Sequence, residues 1–329
     1  MDESVRSMRW AWLLVLVGGL VVLSVRFGVP SAMVRADSPR PSLRLSVQAT
    51  GVWVTHVLRE FRRRSGFDLV EEPLEHVITR AGNVVVIPAD CLPWEGPYDV
   101  VVHFHGVHTA LEPALVQSGL PAVLLITNDG IGAGAYARKY QFEQSLPWLL
   151  KGVDRVMQER CPMPGRRVGR VALSAWSAGF AAVQKILGWP RQFDRVDAVL
   201  LADGLHARMD DHGVLSQGDL APFLRFAREA VAGRKLMAVT HSAIVTEGYA
   251  STTETADYLL DRLSIVPTHP GDDENEFGML PVTVGERGSF HVMGFAGGDK
   301  AAHISHQRGM GLTLLPLLRD WWSPPSDSR

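Results

Sequence analysis

Along most of the chain, short runs of consecutive apolar residues alternate with longer stretches of helical periodicity. The runs within Asn83–Ala89 (NVVVIPA), Asp99–His105 (DVVVHFH) and Pro121–Thr127 (PAVLLIT) are rich in β-branched residues and apolar on both faces. That pattern predicts strands buried in the middle of a sheet. Ala110–Gly119 predicts a short helix closed by its glycine, and Arg138–Cys161 carries helical periodicity, with Pro147 marking a start or kink. The alternation continues through the strands Gly169–Ala175, Val196–Asp203, Lys235–His241 and Ser289–Phe295. Between and after them lie the helical stretches Ala178–Gly188, Asp219–Gly233, Thr252–Leu263 and Arg308–Trp322. Strand following helix in this way predicts an α/β fold, a three-layer sandwich with a mostly parallel central sheet covered on both faces. No internal repeat or second core interrupts it, so one domain is expected over residues 46–322, with residues 323–329 a disordered tail. Polar segments such as Thr268–Gly278 read as solvated surface loops.

The N-terminal pattern is of another kind. Arg6 and Arg9 precede sixteen uncharged residues, Trp10–Val25, and Arg26 closes the run. A spanning helix wants about 20 apolar residues, and a secretory signal has the same positive flank and a shorter core. Residues 1–36 are therefore expected to be a signal peptide, with Val34–Ala36 as a cleavage candidate, or an N-terminal membrane anchor. Residues 37–45, rich in Pro and Ser, are expected to be a linker. Either reading places Asp37 onward outside the cytoplasm, periplasmic or secreted, with the inner membrane as a partner if residues 10–25 are retained. Arginine far outnumbers lysine, a bias associated with GC-rich bacterial genomes. The net charge of −2 offers no cationic excess to meet phosphates, which argues against a nucleic-acid binder.

Chemistry enters at two places. His103, His105 and His108 make an H-x-H-x-x-H pattern at a strand end, readable either as a metal cage or as a strand running into a His-Gly loop. The second place is Arg170–Leu187, where an apolar strand runs into Ala175-Trp176-Ser177-Ala178-Gly179 and then a helix, with no loop between. This is a nucleophile elbow of the form small-x-Ser-x-small, with Ala175 at the position usually held by glycine. The turn admits only small residues two positions either side of the serine. It also lifts the Ser177 hydroxyl above the sheet, near the positive end of the following helix. Ser174 is the alternative nucleophile, without the trailing small pair.

With this elbow and this order of elements, from about Asn83 to Trp322, the chain resembles the α/β-hydrolase superfamily. In that family the nucleophile follows the fifth strand and the third strand ends in the oxyanion loop. Counting back makes Asp99–His105 the third strand, so His105-Gly106-Val107 is similar to the family's His-Gly-x loop. The resemblance implies that an oxyanion is held by the backbone N–H of Ala178 and by the Gly106–Val107 loop. Gly106 is needed there because a side chain would block the approach. The metal reading is the weaker one: the pattern looks like the metallo-β-lactamase signature, but Val107 stands where that signature has Asp, and no further His follows until His206. Gly130–Ala135 matches a dinucleotide-binding turn, yet no strand ending in an acid follows at the required distance, so it reads as a flexible loop over the site. No metal and no cofactor is expected.

The family's chain order, Ser then acid then His, implies the remaining partners. The loop expected over Gly297–Met310 offers His303 and His306; His303, closer to its apex, is the preferred base, and His291 is read as structural. The acid departs from the commonest pattern. The seventh strand, Lys235–His241, is followed by no carboxylate before Glu247, whereas the sixth ends in Asp203-Gly204. Asp203 is therefore preferred, with Asp299 and Glu247 as substitutes. In the same framework Cys91 and Cys161 lie before adjacent strands, which implies a structural disulfide in an oxidising compartment. Family lids usually follow the sixth strand; here only Gly204–Gly218 intervenes, so no large lid is expected. His206, Asp210, Asp211 and His212 in that insertion rim the pocket, bind a metal or form a solvated loop. Carboxylic-ester hydrolysis is the expected activity, on a small-molecule ester or amide. The alternatives are an amidase or peptidase on the same site, a metal-dependent hydrolase using His103, His105 and His108, and an inactive hydrolase-fold binding protein.

Overall fold

A computed structural model of the chain describes residues 74–323 apart from 80, 89–90, 92–95 and 272, together with Ser24–Val25 and Leu45–Ser46. The chain divides into two units, Met1–Pro73 and Leu74–Arg329. In the first, Ser24–Val25 pairs antiparallel with Leu45–Ser46. The remainder of the expected signal or anchor, the linker, the first residues of the expected domain and the tail 324–329 lie outside the described residues. Among the described residues no helix is long and apolar enough to cross a membrane.

The second unit is built on nine strands in one sheet: β1 (Leu74–Ile78), β2 (Val84–Pro88), β3 (Tyr98–Phe104), β4 (Val123–Thr127), β5 (Val168–Trp176), β6 (Ala198–Ala202), β7 (Leu236–His241), β8 (Pro281–Arg287) and β9 (Phe290–Phe295). Their order in space is β8-β9-β7-β6-β5-β3-β4-β2-β1. The six strands from β9 to β4 run parallel, and antiparallel pairings occur only at the two edges. This is the α/β-hydrolase arrangement, and β3, β5, β6 and β7 fall at the strands counted from the sequence.

Alternation along β3 shows how the layers form. Val100, Val102 and Phe104 face one core and Val101 the other. The first core is covered by α3 (Ser145–Arg160), α4 (Phe180–Leu187) and α6 (Gln217–Val231), the second by α1 (His108–Ser118) and α9 (Leu314–Trp322). Strand interiors such as Val199, Leu200 and Leu201 are fully buried, which is why they read as unbroken apolar runs. Gly119 closes α1 in the left-handed conformation, φ 63°. Ser251 and Glu254 form a capping box at the start of α7 (Thr252–Arg262).

Three local expectations change. The periodic stretch 138–161 is two helices, α2 (Ala133–Lys139) and α3, because the chain turns between them and Pro147 enters the first turn of α3. The glycine-rich segment 130–135 is a loop only at its start, since Gly132 precedes α2. The segment 297–310, expected to be a loop, is mostly helix: Asp299 caps α8 (Lys300–Arg308) by accepting from the Ala302 N–H at 2.8 Å. The remaining short helix, α5, spans Pro190–Arg195.

Cys91 and Cys161 are joined in a disulfide that closes a loop across 70 positions. Cross-linking a loop of that length limits the unfolded chain by about 4 kcal/mol in the loop-entropy view. Replacing both cysteines with serine should lower unfolding stability by about 2–4 kcal/mol in denaturant titration. Unchanged stability would show that the bridge does not constrain the fold.

Candidate active site

The register of the central strands assembles the site. Trp176, the last residue of β5, pairs with Ala202, the last of β6, so Ser177 and Asp203 leave adjacent strands side by side. Both are forced into positive φ, 48° for Ser177 and 43° for Asp203. Such a conformation costs an L-residue roughly 1–2 kcal/mol and persists only where packing imposes it. The packing is tight. A Cβ on Gly179 would stand 2.1 Å from the Phe104 carbonyl oxygen, and one on Gly204 would stand 2.6 Å from the Ser177 nitrogen. Ala175 is fully buried. Ser177 and Ala178 line a cavity of about 710 Å³ with Ile131, Phe180, His206 and Tyr249.

His303 reaches this corner from the first turn of α8. Its Nδ1 lies 2.6 Å from Asp203 Oδ2. An ionised carboxylate only accepts, so Nδ1 carries the proton and Nε2 is left as an acceptor. The other Asp203 oxygen accepts from the Ser242 N–H at 2.9 Å and from the Thr252 hydroxyl at 2.6 Å. Burial by itself would raise the Asp203 carboxyl, but the hydrogen bonds from His303, Thr252 and Ser242 outweigh it and hold the group well below the usual carboxylate range. The Trp176 ring contacts two imidazoles, with its centroid 4.7 Å from His303 and 5.1 Å from His105. Its indole N–H donates to the His303 carbonyl at 3.0 Å.

The loop after β3 turns sharply, with φ 71° at His105 and 122° at Gly106. The φ of 122° at Gly106 is one that L side chains rarely adopt, and a Cβ there would also displace the Gln307 side-chain nitrogen, 1.8 Å away, so glycine is strongly favoured. Val107, half exposed, leads into α1. The three histidines of the H-x-H-x-x-H pattern do not converge. His103 is fully buried, its ring nitrogens 2.9 Å from the Ser174 hydroxyl and 2.8 Å from the His105 carbonyl oxygen. His105 Nδ1 lies 3.0 Å from the Tyr136 hydroxyl, and His108 Nδ1 lies 2.6 Å from a Glu112 oxygen.

The alternative residues are occupied elsewhere. Ser174 is buried against His103. His306 is buried, with Nδ1 2.8 Å from the Thr240 hydroxyl. Asp299 caps α8, Glu247 is exposed, and His291 pairs with Glu286 at 3.3 Å. Of the four insertion residues, His206 lines the cavity and holds the Ala250 carbonyl at 2.9 Å. Asp210 accepts from the His212 and Val214 N–H groups, while Asp211 and His212 are exposed. Thr252, Ser242 and Trp176 complete the corner. Trp176 carries a sequence signal, as the x before the serine of the elbow; the other two gain meaning only through contacts with Asp203.

Burial keeps two histidines neutral, pushing His103 down to about 3 and His306 down to about 4. The unfolded chain takes up these protons near pH 6.5 and the folded chain does not, so folding loses stability as pH falls from about 6.5 towards those lower values. Between pH 7 and 5 the loss should be on the order of 2 kcal/mol per histidine, read from urea midpoints at the two pH values. A flat profile across that range would show that neither ring is held neutral.

No family model matches the chain, and no curated protein matches it. Among solved structures, the chain is similar to the enterobactin esterase FES from Shigella flexneri, at 16% identity and TM-score 0.46 over 77% of this chain and 61% of that one. The matched part thus spans less than two thirds of that esterase. A feruloyl esterase module from Clostridium thermocellum is similar at 9% identity and TM-score 0.44, over 78% of this chain and 90% of that one. Esterase Est2 from Thermogutta terrifontis is similar at 14% identity and TM-score 0.39, over 73% and 90%.

Proposed function

From the α/β-hydrolase fold of its second unit, we propose that this protein is a serine hydrolase acting on carboxylic esters, with Ser177, His303 and Asp203 as its triad. The observation that carries the reading is the hydrogen bond of 2.6 Å between His303 and Asp203, formed beside a serine held at φ 48°. His303 Nε2 takes the hydroxyl proton as Ser177 Oγ attacks the ester carbonyl, and Asp203 fixes the imidazole tautomer. The N–H groups of Ala178 and Val107 hold the tetrahedral oxyanion, with Gly106 allowing the loop's close approach. The leaving alcohol receives the proton from His303. Water, deprotonated by the same ring, then releases the acid.

The cavity of about 710 Å³ beside Ser177 supports a small-molecule ester as the substrate. Its wall is apolar at Ile131, Phe180 and Ala181, and the ion pair of Arg208 and Asp219, 2.9 Å, lies on its polar side. We place the site outside the cytoplasm on the strength of the N-terminal pattern and the disulfide. A fluorophosphonate probe tests the reading directly: its phosphorus should bond Ser177 Oγ with loss of fluoride. Wild type should label and Ser177→Ala should not. An unlabelled wild-type protein would leave the hydrolase-fold binding protein as the better account.

A further inference from the structure

Outside the catalytic corner, one side-chain cluster has the composition of a metal site. His108 opens α1 and Glu112 follows one turn later, so the two share a helix face. His76 comes from β1, at the sheet edge. Leu74, two positions before it and therefore on the same strand face, packs against the core that α1 covers, which turns His76 toward that helix. The result is one carboxylate between two imidazoles. His108 Nδ1 is 2.6 Å from Glu112 Oε1, and His76 Nε2 is 3.0 Å from Glu112 Oε2. Donor atoms from all three residues lie within 4.8 Å of one another, and no other such group of three occurs among the described residues.

We propose that His76, His108 and Glu112 bind a single divalent transition-metal ion of the zinc class. The Glu112 side chain is only 16% exposed, and among the described residues its ion-pair partners are these two imidazoles. Neither carries the permanent charge of a lysine or arginine, so among the described residues this largely buried carboxylate has no fixed countercharge as its ion-pair partner. A cation would supply one. Two imidazole nitrogens and one carboxylate oxygen suit zinc, which holds such donors at about 2.0–2.2 Å in a tetrahedron. Donors on that tetrahedron stand roughly 3.3 Å apart, close to the 2.6 and 3.0 Å at which the two imidazoles already flank the carboxylate. Two nitrogen ligands disfavour calcium and magnesium, which take oxygen. The histidine side chains are 37% and 38% exposed, leaving an entry path and a fourth position for water. Because His108 follows Val107 directly, the ion would tie the start of α1, and the loop before it, to the sheet edge.

The test uses the full chain, purified without a histidine tag and stripped with chelator. Co2+ titration should produce the visible absorption of a tetrahedral N/O site, saturating at one equivalent and displaced by Zn2+. His76→Ala and Glu112→Gln should each weaken binding by more than the roughly 10–100-fold that loss of an outer-shell partner causes. His212→Ala, at an exposed histidine, should leave it unchanged. Zn2+ should raise the thermal midpoint of wild type but not of Glu112→Gln, whose circular dichroism should match wild type. Absence of a saturable one-equivalent site, or retention of wild-type affinity in Glu112→Gln, would overturn the proposal. So would equal loss in His212→Ala. None of the three ligands belongs to the proposed triad, so these outcomes are separable from fluorophosphonate labelling at Ser177.

Discussion

Ser177→Ala should lower kcat for a chromogenic short-chain ester by roughly 10⁴–10⁶, with KM changed little. The loss is large because the proposed attacking atom is removed, while the cavity proposed to hold substrate keeps its walls at Ile131, Phe180 and His206. A small residue rate over water should survive, since the proposed oxyanion donors at Ala178 and Val107 are untouched. The fold should survive too. Alanine meets the same strained φ of 48° that serine does, and the close contacts at the elbow come from Gly179 and Gly204 rather than from the hydroxyl. Matching unfolding curves for the two proteins would show that the lost activity is chemical. Activity within tenfold of wild type would remove Ser177 from the mechanism. Ser174 is a poor substitute, being buried against His103.

What the sequence conveyed about this site follows from how each part is built. The parallel strands β3 to β7 are buried on both faces, so they appear as apolar runs whose order can be counted. The elbow is a local sterics problem, and the small residues around Ser177 state it within five positions. The edge strands β1 and β8 are half exposed, with burial alternating or partial, and no apolar run marks them. The helix α8 was unreadable for a related reason: its buried residues are His306 and Gln307, polar side chains that no hydrophobic period reveals. Its start depends on the Asp299 cap, in a segment whose glycines read as loop. Support for Asp203 comes from Ser242 and Thr252, 39 and 49 residues further along, and only strand register and helix packing bring them within hydrogen-bonding distance.

Asp203→Asn should separate geometry from electrostatics at the same corner. The asparagine carbonyl can still accept from the Ser242 N–H and the Thr252 hydroxyl, the two donors that hold Oδ1 now. Its amide nitrogen would then replace Oδ2 at His303 Nδ1, a 2.6 Å contact in which the ring is at present the donor. Two donors cannot satisfy each other, so the ring takes the other tautomer, with its proton on Nε2. In that state it cannot accept from Ser177. A fall in kcat of about 10⁴ with near-normal KM is expected, and fluorophosphonate labelling should slow in parallel. Asp299→Asn supplies the contrast: its carboxylate caps α8 by accepting from Ala302, a role the asparagine carbonyl can keep, so activity should stay within a few-fold of wild type. If instead Asp299→Asn collapsed the rate and Asp203→Asn did not, the acid would have to be reassigned. The carboxylate held by Ser242 and Thr252 would then be a structural anchor for the corner between β6 and the segment that follows it.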